Sequence, residues 1–247
     1  MRPSRRVLSR VVCATLMLAI TAASRGSASS DWPPFLRASD EYPEDVADTV
    51  ARLWVEPTFT RTVSAEPAPV PLSFYLKFVD APDVTAAAAR HLGLTTYEVK
   101  VVGNDGYTVT DGNRTHGAYH VLAREGGRRI MLSSGTHRSG IIGTIGGSAL
   151  TRLELGDEGG RTSQRLVVNV IVDHGLLAGV TRPLLLLFGP LVDRKLSEAF
   201  RTATAAAVWA HENRGEFCGW LNAGVASERR AELRDVFAEC GVAKSAS

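Results

Sequence analysis

The stretch from Leu191 to His211 (LVDRKLSEAFRTATAAAVWAH) constrains the fold more than any other part of the chain. It contains neither Gly nor Pro and follows Gly189-Pro190, a pair that ordinarily breaks a helix. Val192, Leu196, Ala199, Phe200, Ala203, Ala206, Ala207 and Ala210 recur at offsets of three and four. That spacing is the apolar stripe of an amphipathic helix, with Asp193, Arg194, Ser197, Glu198 and Arg201 around the other side. At 1.5 Å per residue the rod is roughly 30 Å long, enough to cross a small domain. An apolar stripe of that length needs a sheet or other helices to cover it.

The first 28 residues read as a leader outside the fold. Arg2, Arg5, Arg6 and Arg10 precede an apolar run from Val11 to Ala23, and small residues follow at Gly26, Ser27 and Ala28. Basic head, short apolar middle and small-residue exit make an export signal, and the run is too short for a secure membrane span. The chain's net charge of +2 comes from this leader. Removing its five arginines from the 28 basic residues leaves 23 against 26 acidic ones, net −3. Nucleic-acid binding thereby loses its global electrostatic support. The expectation is an exported protein, periplasmic or secreted, with no membrane span and peripheral membrane contact left open. Two cysteines then remain, Cys218 and Cys240, an even pair that in an exported chain reads as one disulfide. Closing that loop stabilises by roughly 3 kcal/mol on the chain-entropy model.

Asp31 to Pro57 is an N-terminal extension in which Pro43-Glu44-Asp45 opens a short helix with Val46, Val50, Leu53 and Trp54 as its apolar face. Thr58 to Ser64 alternates like a strand, and the three prolines between Ala65 and Pro71 are read as irregular. Leu72 to Val79 is ambiguous in period, but it abuts a helix from Asp83 to His91, capped by Gly93, and is read as its partner helix. Three hairpins follow. Gly103-Asn104-Asp105-Gly106, Glu125-Gly126-Gly127 and Gly156 to Gly160 are their turns. In the last strand Leu166, Val168, Val170 and Val172 share one face, and Arg165, Val167, Asn169, Ile171 and Asp173 the other. After the long helix, Gly215 is expected to end an element, and Phe217–Leu221 and Ser227–Glu239 look helical.

This order, one strand, two short helices, six strands in hairpins and a long C-terminal helix, resembles the START-like or SRPBCC superfamily with its helix-grip fold. The resemblance covers about Thr58 to His211 and rests on element order. It implies an α+β fold in which a curved, mostly antiparallel, seven-stranded sheet wraps the C-terminal helix over an apolar cavity. It also implies either binding of lipids and other hydrophobic molecules or, in some members, cyclase or aromatase activity. The domain expectation is a leader over 1–28, the extension over 29–57, a helix-grip domain over 58–211 and a disulfide-clamped helical tail over 212–247.

Candidate site residues follow from where a cavity would lie. Ala203 and Ala207, with Phe200, occupy the sheet-facing stripe of the long helix. Small residues there either leave space or let the helix pack closely. Gly135 to Gly147 holds five glycines and reads as a bulged strand connection or as a mobile lip presenting Ile141, Ile142 and Ile145. Asn169 and Asp173 would orient a ligand if their face pointed inward, and would be solvated if it pointed outward. His116 and His120, at i and i+4, lie about 13 Å apart in a strand, too far for one metal, and His137 joins only if strands align. Ser148 in GGSAL lacks the second glycine of a nucleophile elbow. No catalytic residue, metal ligand or cofactor is assigned. The first functional expectation is an exported carrier of a lipid or other hydrophobic small molecule. An exported cyclase-type enzyme and a packed protein-interaction module are the alternatives.

Overall fold

A hairpin places two strands side by side, and three hairpins in succession with an edge strand make a sheet in which order follows sequence. The computed structural model describes residues 31–111, 115–139, 143–173, 181–224, 233 and 236–241, and from Trp32 onward they belong to one compact unit. The leader lies outside the described residues, as do Ile141 and Ile142. The strands are β1 (Phe59–Ala68), β2 (Glu98–Val102), β3 (Gly106–Thr110), β4 (Thr115–Glu125), β5 (Arg128–Ser139), β6 (Gly143–Glu158) and β7 (Arg161–Val172). They form one antiparallel sheet in the order β1-β7-β6-β5-β4-β3-β2. All three expected hairpins are present.

The strands outrun their sequence expectations in two places. β1 continues through Pro67 to Ala68, where irregularity was expected, with a register shift between Ala65 and Ala68. It is an edge strand, so a proline at a bulge costs no ladder hydrogen bond. β5 and β6 run paired out to Ser139↔Gly143, so most of the glycine-rich stretch is regular strand rather than a bulged connection.

One face of the sheet holds the helices α2 (Leu72–Asp80), α3 (Pro82–His91) and α4 (Thr181–Glu212). Leu72–Asp80 and Pro82–His91 are the expected pair, with Pro82 in the first turn of α3 and Gly93 at φ +69 after its end. The long helix starts ten residues before Leu191 and runs 32 residues, roughly 48 Å. Gly189-Pro190 is therefore inside it. A mid-helix proline removes one backbone hydrogen bond, and α4 continues through it. Phe78, Tyr75, Val84, Ala88, Leu153, Leu155, Phe200, Ala206 and Ala207 form the main core on this inner face. Within it Tyr75 donates to Gln164 Oε1 at 2.6 Å, and Gln164 donates to Thr204 Oγ1 at 3.2 Å. Burial pushes the Tyr75 phenol up to about 12.

The opposite, outer face is covered by α1 (Glu44–Val55) from the extension. Val50 and Leu53 are fully buried against Ile130 and Leu150, each burial stabilising by about 1.5–3 kcal/mol. The tail forms α5 (Arg214–Gly224), so Gly215 lies inside the first turn of an element rather than ending one. Phe217, Leu221, Leu233 and Phe237 are buried in the main core, where the Phe217 and Phe237 rings meet Phe78. Cys218 and Cys240 are joined by a disulfide with Cα atoms 4.9 Å apart. Thiol labelling of unreduced, denatured protein lacking the leader is expected to find no free cysteine. Two labelled thiols would contradict the bridge.

Candidate functional site

Alternation along a strand sends every second side chain to one face, and register decides which of them become neighbours. On the inner face, toward one end of the sheet, the register stacks three rows. The first is Tyr107, Tyr119, Ser133, Ala149, Val170 and Phe59, each directly paired with the next across β3, β4, β5, β6, β7 and β1. The second is Val109, Gly117, Gly135, Gly147 and Val172. The third is Thr115, His137 and Ile145, with Asp111 beside Thr115.

Three of the five residues in the middle row are glycines, and their neighbours show why. A Cβ on Gly135 would sit 2.8 Å from the His116 carbonyl oxygen and 3.0 Å from the Gly117 Cα. On Gly147 it would meet the Ile171 carbonyl oxygen at 2.7 Å. The strands approach too closely there for side chains, which leaves a bare channel across the sheet. Above it lie Lys195 and Leu196 of α4. The space lined by these rows without Tyr107 and Asp111, by Tyr97 and by these two residues is an open-sided cavity of about 460 Å³. That volume falls in the range of small-molecule sites.

The cavity is largely apolar over its first two rows, where the Ser133 hydroxyl donates to the Ala149 carbonyl at 3.4 Å, and its third row carries the polar pair Thr115 and His137 beside Ile145. Tyr107 and Tyr119 stack with ring centroids 4.9 Å apart, and burial holds the Tyr119 phenol well above its ordinary range. Thr115 Oγ1 donates to Asp111 Oδ2 at 2.8 Å and lies 3.0 Å from His137 Nδ1. The Thr115 backbone N–H also donates to Asp111, at 2.7 Å. Lys195 Nζ donates to the Tyr97 hydroxyl at 2.8 Å and to Glu198 at 3.4 Å. The bond to Tyr97 raises the Lys195 ammonium above its usual range, against the opposing effect of burial.

The structure separates the candidates read from sequence. Ile145 lines the cavity. Asn169 points to the outer face, where its Oδ1 accepts from Thr60 Oγ1 at 2.9 Å. Asp173 is exposed beyond β7, its carboxylate occupying the place a side chain on Gly146 would take. The register that sends Val170 and Val172 inward sends both of these outward. Phe200 and Ala207 are buried in the core with Ala206, and Ala203 packs against it. The alanines serve close packing under α2, α3 and α5, and the open space lies under the earlier turns of α4. His116 and His120 are exposed on the outer face while His137 faces inward, so they do not converge. Among the described residues no three His, Cys, Asp or Glu side chains form a group able to hold a metal ion. Ser148 also faces outward, paired with Ile171.

Sequence reasoning missed Phe59, Val109, Tyr119, Ala149, Tyr97 and Lys195. The alternation from Val172 backward through the hairpins carries the signal for the four on the sheet rows. Tyr97 and Lys195 sit outside any periodic pattern.

A seven-stranded antiparallel sheet closed over a long C-terminal helix, with a cavity between them, is the helix-grip arrangement of the α+β class. No protein-family model matches the chain, and no curated protein does. Solved structures that resemble it include Mll3558 from Rhizobium loti, with TM-score 0.44 and 12% identity over 60% of this chain and 96% of that one. A protein from Rhizobium leguminosarum aligns with TM-score 0.40 and 13% identity over 60% and 93%. Ara h 8.0201 aligns with TM-score 0.40 and 13% identity over 61% and 99%.

Proposed function

We propose that this chain is an exported START-like (SRPBCC) carrier that holds a lipid or other hydrophobic small molecule between its sheet and α4. The observation that carries the reading is the cavity of about 460 Å³, floored by Gly117, Gly135, Gly147 and Ala149 and walled by Phe59, Val109, Val170 and Val172. Such a surface gains by taking apolar area out of water, about 25 cal/mol per Å² buried. Export rests on the basic and apolar leader and is supported by the Cys218–Cys240 disulfide, a bond that persists in oxidising compartments. No helix among the described residues is long and apolar enough to cross a membrane.

The test fills the cavity from its floor. Ala149 projects from the centre of β6 into the open space. Replacing it with Phe is expected to weaken binding of the neutral fluorescent probe N-phenyl-1-naphthylamine at least about tenfold, because the ring occupies the probe's volume. The melting temperature should stay within a few degrees of the parent, since the added bulk enters empty space. A parent protein that binds no such probe, and carries no lipid in native mass spectrometry, would remove the carrier reading.

A further inference from the structure

The third row of the cavity contains a hydrogen-bond chain whose direction can be worked out. As a carboxylate Asp111 only accepts, so the hydroxyl hydrogen of Thr115 is committed to Asp111 Oδ2 at 2.8 Å. The 3.0 Å contact between Thr115 Oγ1 and His137 Nδ1 therefore needs its hydrogen from the imidazole. In the neutral ring that places the proton on Nδ1 and leaves Nε2 bare, with no hydrogen-bond partner among the described residues. His137 lines the cavity. A largely apolar cavity thus presents, besides its hydroxyls, an imidazole acceptor whose tautomer Asp111 and Thr115 fix.

We propose that the cavity selects hydrophobic molecules bearing a hydroxyl group, an alcohol or a phenol, and that His137 Nε2 accepts the ligand's hydroxyl hydrogen while Asp111 and Thr115 hold the imidazole in the accepting tautomer. This rests on the carrier reading above and names its ligand class. A ligand lacking the hydroxyl would bury the Nε2 lone pair without a partner, and a buried unsatisfied polar group is what makes such sites discriminate. Asp111 and Thr115 are positioning residues in this scheme.

The experiment uses a matched pair of probes, 2-naphthol and its methyl ether 2-methoxynaphthalene, on the full exported protein by calorimetry. The parent is expected to prefer the naphthol by about five- to tenfold, the size of one well-made hydrogen bond. Thr115→Val keeps the strand and the shape but removes the acceptor for Nδ1–H, so the proton is free to move to Nε2. The preference is then expected to fall to about one, with the ether bound as tightly as before or better, a change that loss of packing alone would not give. His137→Leu should abolish the preference in the same way. In the unliganded parent, ¹⁵N imidazole shifts should show the Nδ1–H tautomer for His137. Equal binding of both probes by the parent, an unchanged preference in Thr115→Val, or an Nε2–H tautomer would overturn the assignment while leaving the carrier reading in place. Binding of neither probe would overturn the assignment, and the carrier reading falls with it if N-phenyl-1-naphthylamine is not bound and no lipid co-purifies.

Discussion

Replacing Asp80 with alanine should destabilise the protein by about 3–5 kcal/mol, the largest single-residue loss expected outside the core packing. Asp80 is the last residue of α2, and its two carboxylate oxygens accept from Arg129 Nε and Nη2 at 2.6 Å each. Arg129 rises from the inner face of β5, paired with Leu153, and its side chain is only 8% exposed. Its remaining nitrogen donates to the Gly126 and Arg128 carbonyls. Removing the carboxylate leaves a buried guanidinium without its counter-charge, and Arg124, 3.4 Å from the same carboxylate, loses a partner too. At about 2–4 °C per kcal/mol for a domain of this size, melting should move down by roughly 10 °C. Replacing Asp80 with Leu and Arg129 with Met together should recover most of that loss, because the buried guanidinium goes with its counter-charge while Arg124 keeps Asp105. If Asp80→Ala melts within about two degrees of the parent, the pair is not what ties α2 to the sheet.

That clamp joins residues 49 positions apart, and nothing in the local sequence around either announces it. The hairpins are a different matter. Gly103-Asn104-Asp105-Gly106 and Glu125-Gly126-Gly127 carry their turn geometry in their own composition, and the structure puts Gly103 and Gly126 at positive φ, as such turns require. Alternation in β7 likewise announces that Leu166 to Val172 share a face. What it leaves open is the direction of Asn169, because one strand has two faces and only its neighbours decide which is inside. The end of β1 escapes a local reading because the rule against proline in strands weakens at a sheet edge, and edge position is a property of the whole sheet.

The cavity is legible as a consequence of the fold and illegible in its details. Asp111 and Thr115 meet locally, four residues apart, but His137 comes 22 residues later and joins them only through the register of β4 and β5. A sequence reader sees His116 and His137 as two histidines in similar surroundings. The pairing of Thr115 with His137, and of His116 with Thr136, puts them on opposite faces. One residue of register would exchange them.

The alanines of α4 carry two meanings in the sequence, and one substitution separates them. Alanine is both the best helix former and the smallest side chain with a Cβ, so Ala203, Ala206, Ala207 and Ala210 fit either a void or a close contact. The structure buries Ala207 completely in one core with Tyr75, Phe78 and Phe217, while Leu196 marks the cavity about 16 Å earlier along the helix. Ala207→Trp therefore has no empty volume to enter. It must push α4 off α2 and α3, and the expected cost is about 3 kcal/mol or more, at or beyond the upper end of ordinary overpacking. Melting should fall by roughly 6–12 °C. Below that transition, probe affinity per folded molecule should stay within about twofold of the parent, since the cavity lies about three turns away. Ala149→Phe is expected to show the reverse pattern, with affinity lost and stability kept. Thermal melting and probe titration of the two variants side by side give a crossed result that neither a general loosening of the fold nor a cavity under the alanines would produce. An Ala207→Trp variant that melts like its parent but no longer binds the probe would move the cavity to the alanine stripe and empty the core assigned to it here.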